Sequence, residues 1–135
     1  AGNLYEDYTG GWSSEGYTHT VGIVSGTIDT GGIHLTGNGK NLVMVGTKAP
    51  VDLTRYTKLK FKGIVSSSIN NISIEVILCP TKYIADFVAE FHLNSTTGQR
   101  EEEFDIKNFD GEYYIICAAG MSAKCVGTIS HMQLL

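Results

Sequence analysis

The chain has 135 residues, with ten Lys and Arg against fourteen Asp and Glu, so a net charge of −4 leaves no basic surplus for a nucleic-acid backbone. Apolar residues make up 42% and charged residues 18%, the balance of a chain that buries a core and not of a disordered one. No apolar run approaches the roughly 20 residues of a membrane helix, so no membrane insertion is expected.

Sixteen Gly, only two Pro and many Thr, Ser, Val and Ile point to an all-β chain with many turns. The length fits one domain, residues 1–135. The chain begins with Ala1 and not Met, which fits a processed protein or a piece of a longer one. Cys79, Cys117 and Cys125 lack the spacing of metal ligands. They are expected as buried reduced thiols, with a Cys117–Cys125 bridge across a hairpin as the alternative.

Residues 1–18 read as an irregular N-terminal segment, with Gly and Ser between Tyr5, Tyr8, Trp12 and Tyr17. Residues 20–28 alternate as a strand and end at Asp29-Thr30-Gly31-Gly32, a turn signal. Short strands follow at 33–36 and 41–47, separated by Gly37-Asn38-Gly39. Residues 52–56 read as a turn capped by Asp52 or Thr54. Residues 57–66 have the clearest period of two, with Leu59, Phe61 and Val65 on one face and Lys58, Lys60 and Lys62 on the other. Ile72, Ile74, Val76 and Leu78 repeat that pattern, and Pro80 closes the strand.

Residues 83–94 alternate throughout and are expected as the longest strand. Tyr83, Ala85, Phe87, Ala89, Phe91 and Leu93 make one face of it, and Ile84, Asp86, Val88, Glu90, His92 and Asn94 the other. Residues 99–106 alternate again, and 112–119 with 125–135 read as a C-terminal hairpin at the middle of the fold. About nine or ten strands at intervals of roughly 8–12 residues, with no crossover helix, predict an antiparallel two-sheet β-sandwich, a jelly roll.

Three stretches resemble a known group. They are APVDLTRYTKLKFKGIV (49–65), EEEFDIKNFDGEYYIIC (101–117) and VGTISHMQLL (126–135), together with the opening NLYEDYTGGW (3–12). The order of these signals resembles jelly-roll domains of the carbohydrate-binding-module type, also found in tail and baseplate appendages of phages of Gram-positive bacteria. The resemblance implies the fold and a binding or assembly role, and it carries over no catalytic residue. Part of that group holds a structural calcium. Glu6 and Asp7 are the only carboxylates clustered near a terminus here, so neither a metal nor a cofactor is expected.

Candidate binding residues follow from chemistry. A sugar ring offers an apolar C–H face to an aromatic ring, while polar groups beside it hold the hydroxyls. Trp12, Tyr17 and Tyr83 are the candidates for stacking, and Asp86, Glu90 and His92 for the hydroxyls. Tyr56 and whichever of Tyr113 and Tyr114 points outward are further aromatic candidates. The plainer reading of Glu75, Asp86, Glu90, His92 and the three Lys is a solvated sheet face with Lys–Glu pairs, each contributing well under about 1 kcal/mol.

Hydrolysis is not expected, because Asp86 and Glu90 on one strand would stand roughly 13 Å apart, beyond the ~5–10 Å of a glycosidase pair. His19, His34, His92 and His131 form no ligand spacing. The sequence therefore predicts a non-enzymatic carbohydrate-binding domain of a larger extracellular, cell-surface or virion protein. The alternative is an assembly domain of a virion appendage, working as a homotrimer. Apolar residues on both faces of 113–119 and 83–93 motivate that alternative.

Overall fold

The computed structural model describes residues 11–66, 73–94, 98–119 and 125–135. Tyr5, Glu6, Asp7, Tyr8, Ile72 and the turns at 95–97 and 120–124 lie outside the described residues.

Among the described residues there are twelve strands: β1 (Trp12–Ser13), β2 (Ile23–Ser25), β3 (Thr27–Asp29), β4 (Gly32–Thr36), β5 (Leu42–Thr47), β6 (Val51–Asp52), β7 (Lys58–Ser66), β8 (Ser73–Cys79), β9 (Ala89–Asn94), β10 (Arg100–Asp105), β11 (Glu112–Ala119) and β12 (Val126–Leu134). They form two sheets. The larger runs β1-β5-β11-β8-β9, with β2 beside β5 and β6 beside β11, and the smaller runs β10-β7-β12-β4-β3. Among the described strands every pairing is antiparallel except β2 on β5, and the isolated bridge between Thr18 and Tyr83 is parallel too. The predicted two-sheet sandwich is the observed architecture.

Alternation explains β7, where Leu59, Phe61 and Val65 are fully buried and Lys58 and Lys62 are exposed. β5, residues 76–79 of β8 and residues 115–119 of β11 show no such alternation in burial, because they are covered on both faces. The inward residues of these three strands, among them Val43, Val45, Ile74, Val76, Leu78, Ile115 and Cys117, join the main core between the sheets. Their outward residues Leu42, Met44, Ile77, Cys79, Ile116 and Ala118 form a second core under Tyr17 and Ile84. The apolar excess on both faces of 113–119 is thus consumed within the chain.

Four expectations change. Residues 20–28 do not form one strand, since β2 and β3 belong to different sheets and the chain crosses between them at Gly26. A Cβ at Gly26 would stand 2.8 Å from Leu35 Cδ2 and 2.9 Å from both the His34 carbonyl and Val45 Cγ2, so only glycine fits the crossing.

Residues 83–94 are not one strand either. Ile84–Asp86 form a 3-10 turn, and only Ala89–Asn94 pair with β8. The Ile84 amide donates to the Thr18 carbonyl, and the Ile84 side chain caps the second core, so residues 82–84 are drawn over the sheet instead of extending its edge.

The C-terminal hairpin is an arch. β11 pairs with β5 and β8 in the larger sheet, whereas β12 pairs with β4 and β7 in the smaller one. Each strand lies inside its sheet, as expected, but the two do not pair. Cys117 and Cys125 both enter the main core, and they and Cys79 are buried thiols, not a bridge. Burial pushes the Cys117 thiol far up from its ordinary range.

Finally, the polar residues predicted on one kind of face lie on opposite outer surfaces. Lys60 pairs with Glu101 of β10 at 3.7 Å on the smaller sheet, while Glu75, Glu90 and His92 lie on the larger. In the 52–56 turn the cap is Asp52, whose Oδ1 accepts the Thr54 amide at 2.9 Å.

Candidate functional site

β8 and β9 run antiparallel, with Glu75 opposite His92 and Ile77 opposite Glu90. Side chains at directly opposed and diagonal positions of one sheet face meet. Residues 15 apart in sequence, Glu75 and Glu90, are therefore brought to one imidazole. His92 Nε2 lies 3.3 Å from Glu90 Oε1, and its Nδ1 lies 4.0 Å from Glu75 Oε1 and 3.1 Å from Ser73 Oγ. Opposite Glu75 on its other side is Ala118 of β11, and opposite Ile77 is Ile116.

The cluster thus stands where the outer face of the larger sheet passes from an apolar middle to its β9 edge. Among the described residues, neither Glu75 nor Glu90 has a Lys or Arg at ion-pair distance. Burial beside this apolar surface pushes the Glu75 carboxyl up to about 7, helped by the charge and hydrogen bond of Glu90.

Of the predicted hydroxyl binders, the structure brings Glu90 and His92 together and sets Asp86 apart. Asp86 sits in the 3-10 turn and accepts a hydrogen bond from Thr81 Oγ1 at 3.2 Å. Of the predicted stacking residues, Tyr83 is 40% exposed at the start of that turn, with Phe87 (46%) and Val88 (48%) beyond it. The Val88 amide donates to the Leu78 carbonyl, and Cys79 Sγ donates to the Tyr83 carbonyl, so residues 83–88 are tied to the end of β8.

Trp12 and Tyr17 are corrections, because neither presents a ring to solvent. Trp12 pairs opposite Thr47 and points into the main core, where it is 4% exposed. Tyr17 lies across Gly46, whose missing side chain makes room for the ring, and its hydroxyl donates to the Thr47 carbonyl at 2.8 Å. Tyr114 meets Tyr17 edge-on at 5.9 Å, and Lys82 Nζ stands 5.2 Å from the Tyr17 centroid. Tyr56 and Tyr113 are half-buried against the main core.

Ser73, Glu75 and Phe87 complete the site but were not chosen from the sequence as binding residues. Glu75 was legible only as an outward position of its strand. Its meeting with His92 depends on a register that no local pattern encodes.

A second cluster lies on the smaller sheet. His34 Nε2 is 2.8 Å from Asp29 Oδ1, and Nδ1 is 3.1 Å from Thr128 Oγ1. This order of carboxylate, imidazole and hydroxyl is that of a nucleophile relay. However, Thr128 sits mid-strand between β4 and β7, so the surrounding backbone amides are committed to the ladder and offer no oxyanion site. The cluster is a structural hydrogen-bond chain that holds the β3–β4 turn.

No protein-family model matches the chain, and no curated protein matches it. Among solved structures, a family 16 carbohydrate-binding module is similar over 92% of this chain and 89% of that one, with a TM-score of 0.53 and 14% identity. A family 28 module specific for non-crystalline cellulose overlaps less well, over 76% and 73% of the two chains, with a TM-score of 0.48 and 10% identity. So does a cleaved adhesin domain of Lys-gingipain, with a TM-score of 0.48 and 16% identity over 68% of this chain. The present chain spans 62% of that adhesin's length. At these identities the likeness is one of fold.

Proposed function

We propose that the protein is a non-catalytic carbohydrate-binding module, part of a larger protein displayed outside a cell or on a virion. The observation that carries this reading is an exposed aromatic pair, Tyr83 and Phe87, on the segment that leads into β9, the strand whose Glu90 and His92 meet Glu75 in a polar cluster. The aromatic pair offers apolar area to a sugar ring. The carboxylates accept from hydroxyls, and the imidazole accepts or donates. The sandwich shared with a family 16 carbohydrate-binding module supports the reading by analogy of fold.

The test is a titration of soluble xylan, galactan, mannan and β-glucan fragments into the domain, followed by amide chemical-shift perturbation. At least one glycan is expected to move resonances of residues 83–92, and Tyr83→Ala is expected to weaken its binding about tenfold, the loss of one stacking contact. Shifts confined to other surfaces, or no shift with any glycan at millimolar concentration, overturn the reading.

A further inference from the structure

We propose that Glu75, Glu90 and His92 form a binding site for a first-row divalent transition metal ion, of which Zn²⁺ is the natural probe. One ligand atom from each of these residues lies within 4.8 Å of the others. Donors around a tetrahedral Zn²⁺, with bonds of about 2.0–2.2 Å, stand roughly 3.3–3.5 Å from one another. His92 Nε2 and Glu90 Oε1 are already 3.3 Å apart, so they define one edge of such a tetrahedron without moving. Glu75 Oε1, on the neighbouring strand, lies 4.0 Å from the ring's Nδ1 and would turn toward Nε2 to add the third donor.

The ring is also held as a ligand's ring is held. A metal-bound imidazole gives its second N–H to a neighbouring acceptor, which fixes tautomer and orientation. Ser73 Oγ stands 3.1 Å from His92 Nδ1 and can take that proton, leaving Nε2 as the donor atom that faces Glu90. Two half-buried carboxylates with no Lys or Arg partner among the described residues, beside the apolar Ala118 and Ile77, present negative charge that a cation would neutralise.

The donor set selects among ions. One nitrogen and two carboxylates suit Zn²⁺ and its neighbours, whereas Ca²⁺ calls for six to eight oxygens and Mg²⁺ for an octahedron of them. His92 is 45% exposed, so the fourth position opens to solvent, where water or an oxygen of another molecule can enter. The inference stands apart from the carbohydrate reading, because it needs no sugar.

It is tested by isothermal titration of EDTA-treated, desalted protein with Zn²⁺, and separately with Ca²⁺, in the absence of glycan. One Zn²⁺ per chain at micromolar affinity is expected, with Ca²⁺ at least about a hundredfold weaker. His92→Ala and Glu90→Gln should each weaken binding at least about tenfold, and Ser73→Ala about tenfold through the ring's orientation. His131→Ala, on the other sheet, should change nothing. Circular dichroism confirms that each variant is folded, and nitrogen chemical shifts of His92 should report the metal at Nε2. No Zn²⁺ binding by the wild type, equal affinity for Ca²⁺, unchanged binding in His92→Ala, or loss in His131→Ala overturns the assignment.

Discussion

A carboxylate at Glu75 faces apolar surface on one side, at Ala118 and Ile77, and Glu90 and His92 on the other. The metal-free consequence is a raised pKa, about 7 against the ordinary 4.5, caused first by burial and then by Glu90. Between those values the folded chain binds more proton than the unfolded chain, so this group makes stability fall as pH rises from about 4.5 to 7 and level off above. Glu75→Gln removes the charge but keeps the shape. Relative to wild type in EDTA, the variant should gain about 1 kcal/mol on going from pH 5 to pH 8, a figure discounted for the group's contact with water. Urea unfolding at the two pH values measures it, and a difference between the proteins that does not vary with pH refutes it. At this scale the sequence was least legible. Trp12 and Tyr17 sit among Gly and Ser, and nothing local shows that one points into a core and the other lies on Gly46.

Elements were more legible where one face is wet. β7 and β10 carry their alternation openly, and Ala89, Phe91 and Leu93 point inward as their period requires. Residues 83–88 have the same period but are held by Thr18 and by the second core, so tertiary contacts override the pattern. The break at Gly26 was hidden for the opposite reason. Val24 and Ile28 look continuous, and the glycine between them carries the change of sheet. Gly26→Ala should therefore destabilise the fold by about 1–3 kcal/mol, the cost of overpacking, because its Cβ meets backbone and two core side chains. Gly98 is the control: a Cβ there meets nothing within 4 Å, so Gly98→Ala should stay within about 0.5 kcal/mol of wild type. Chemical denaturation of both variants decides the matter, and equal midpoints would show that the crossing has room to spare.

For the molecule as a whole, the period-two pattern and turn spacing led to the correct two-sheet architecture, whereas the apolar residues on both faces of 113–119 did not show what covers the second face. A strand buried on both sides reads as a plain apolar run, as LVMVGT of β5 and YYIICAA of β11 do. From sequence such a run invites a partner chain. In the structure Tyr17, Ile84, Val21 and Ile23 supply the cover from the same chain. The total accessible surface is 6761 Å² at 14.6 kDa, against about 6,900 Å² for a self-contained monomer of that mass. Among the described residues, the exposed large apolar side chains are Val24, Ile64, Val126 and Leu135, together with Tyr83, Phe87 and Val88, which lie close in sequence. The last three are too small a surface to hold a stable oligomer, whose interfaces bury about 800 Å² per partner. Light scattering behind size exclusion should accordingly return 14.6 kDa at about 100 µM chain. A mass three times larger, lost in Phe87→Ser, would make that surface a subunit contact and remove it from any sugar site.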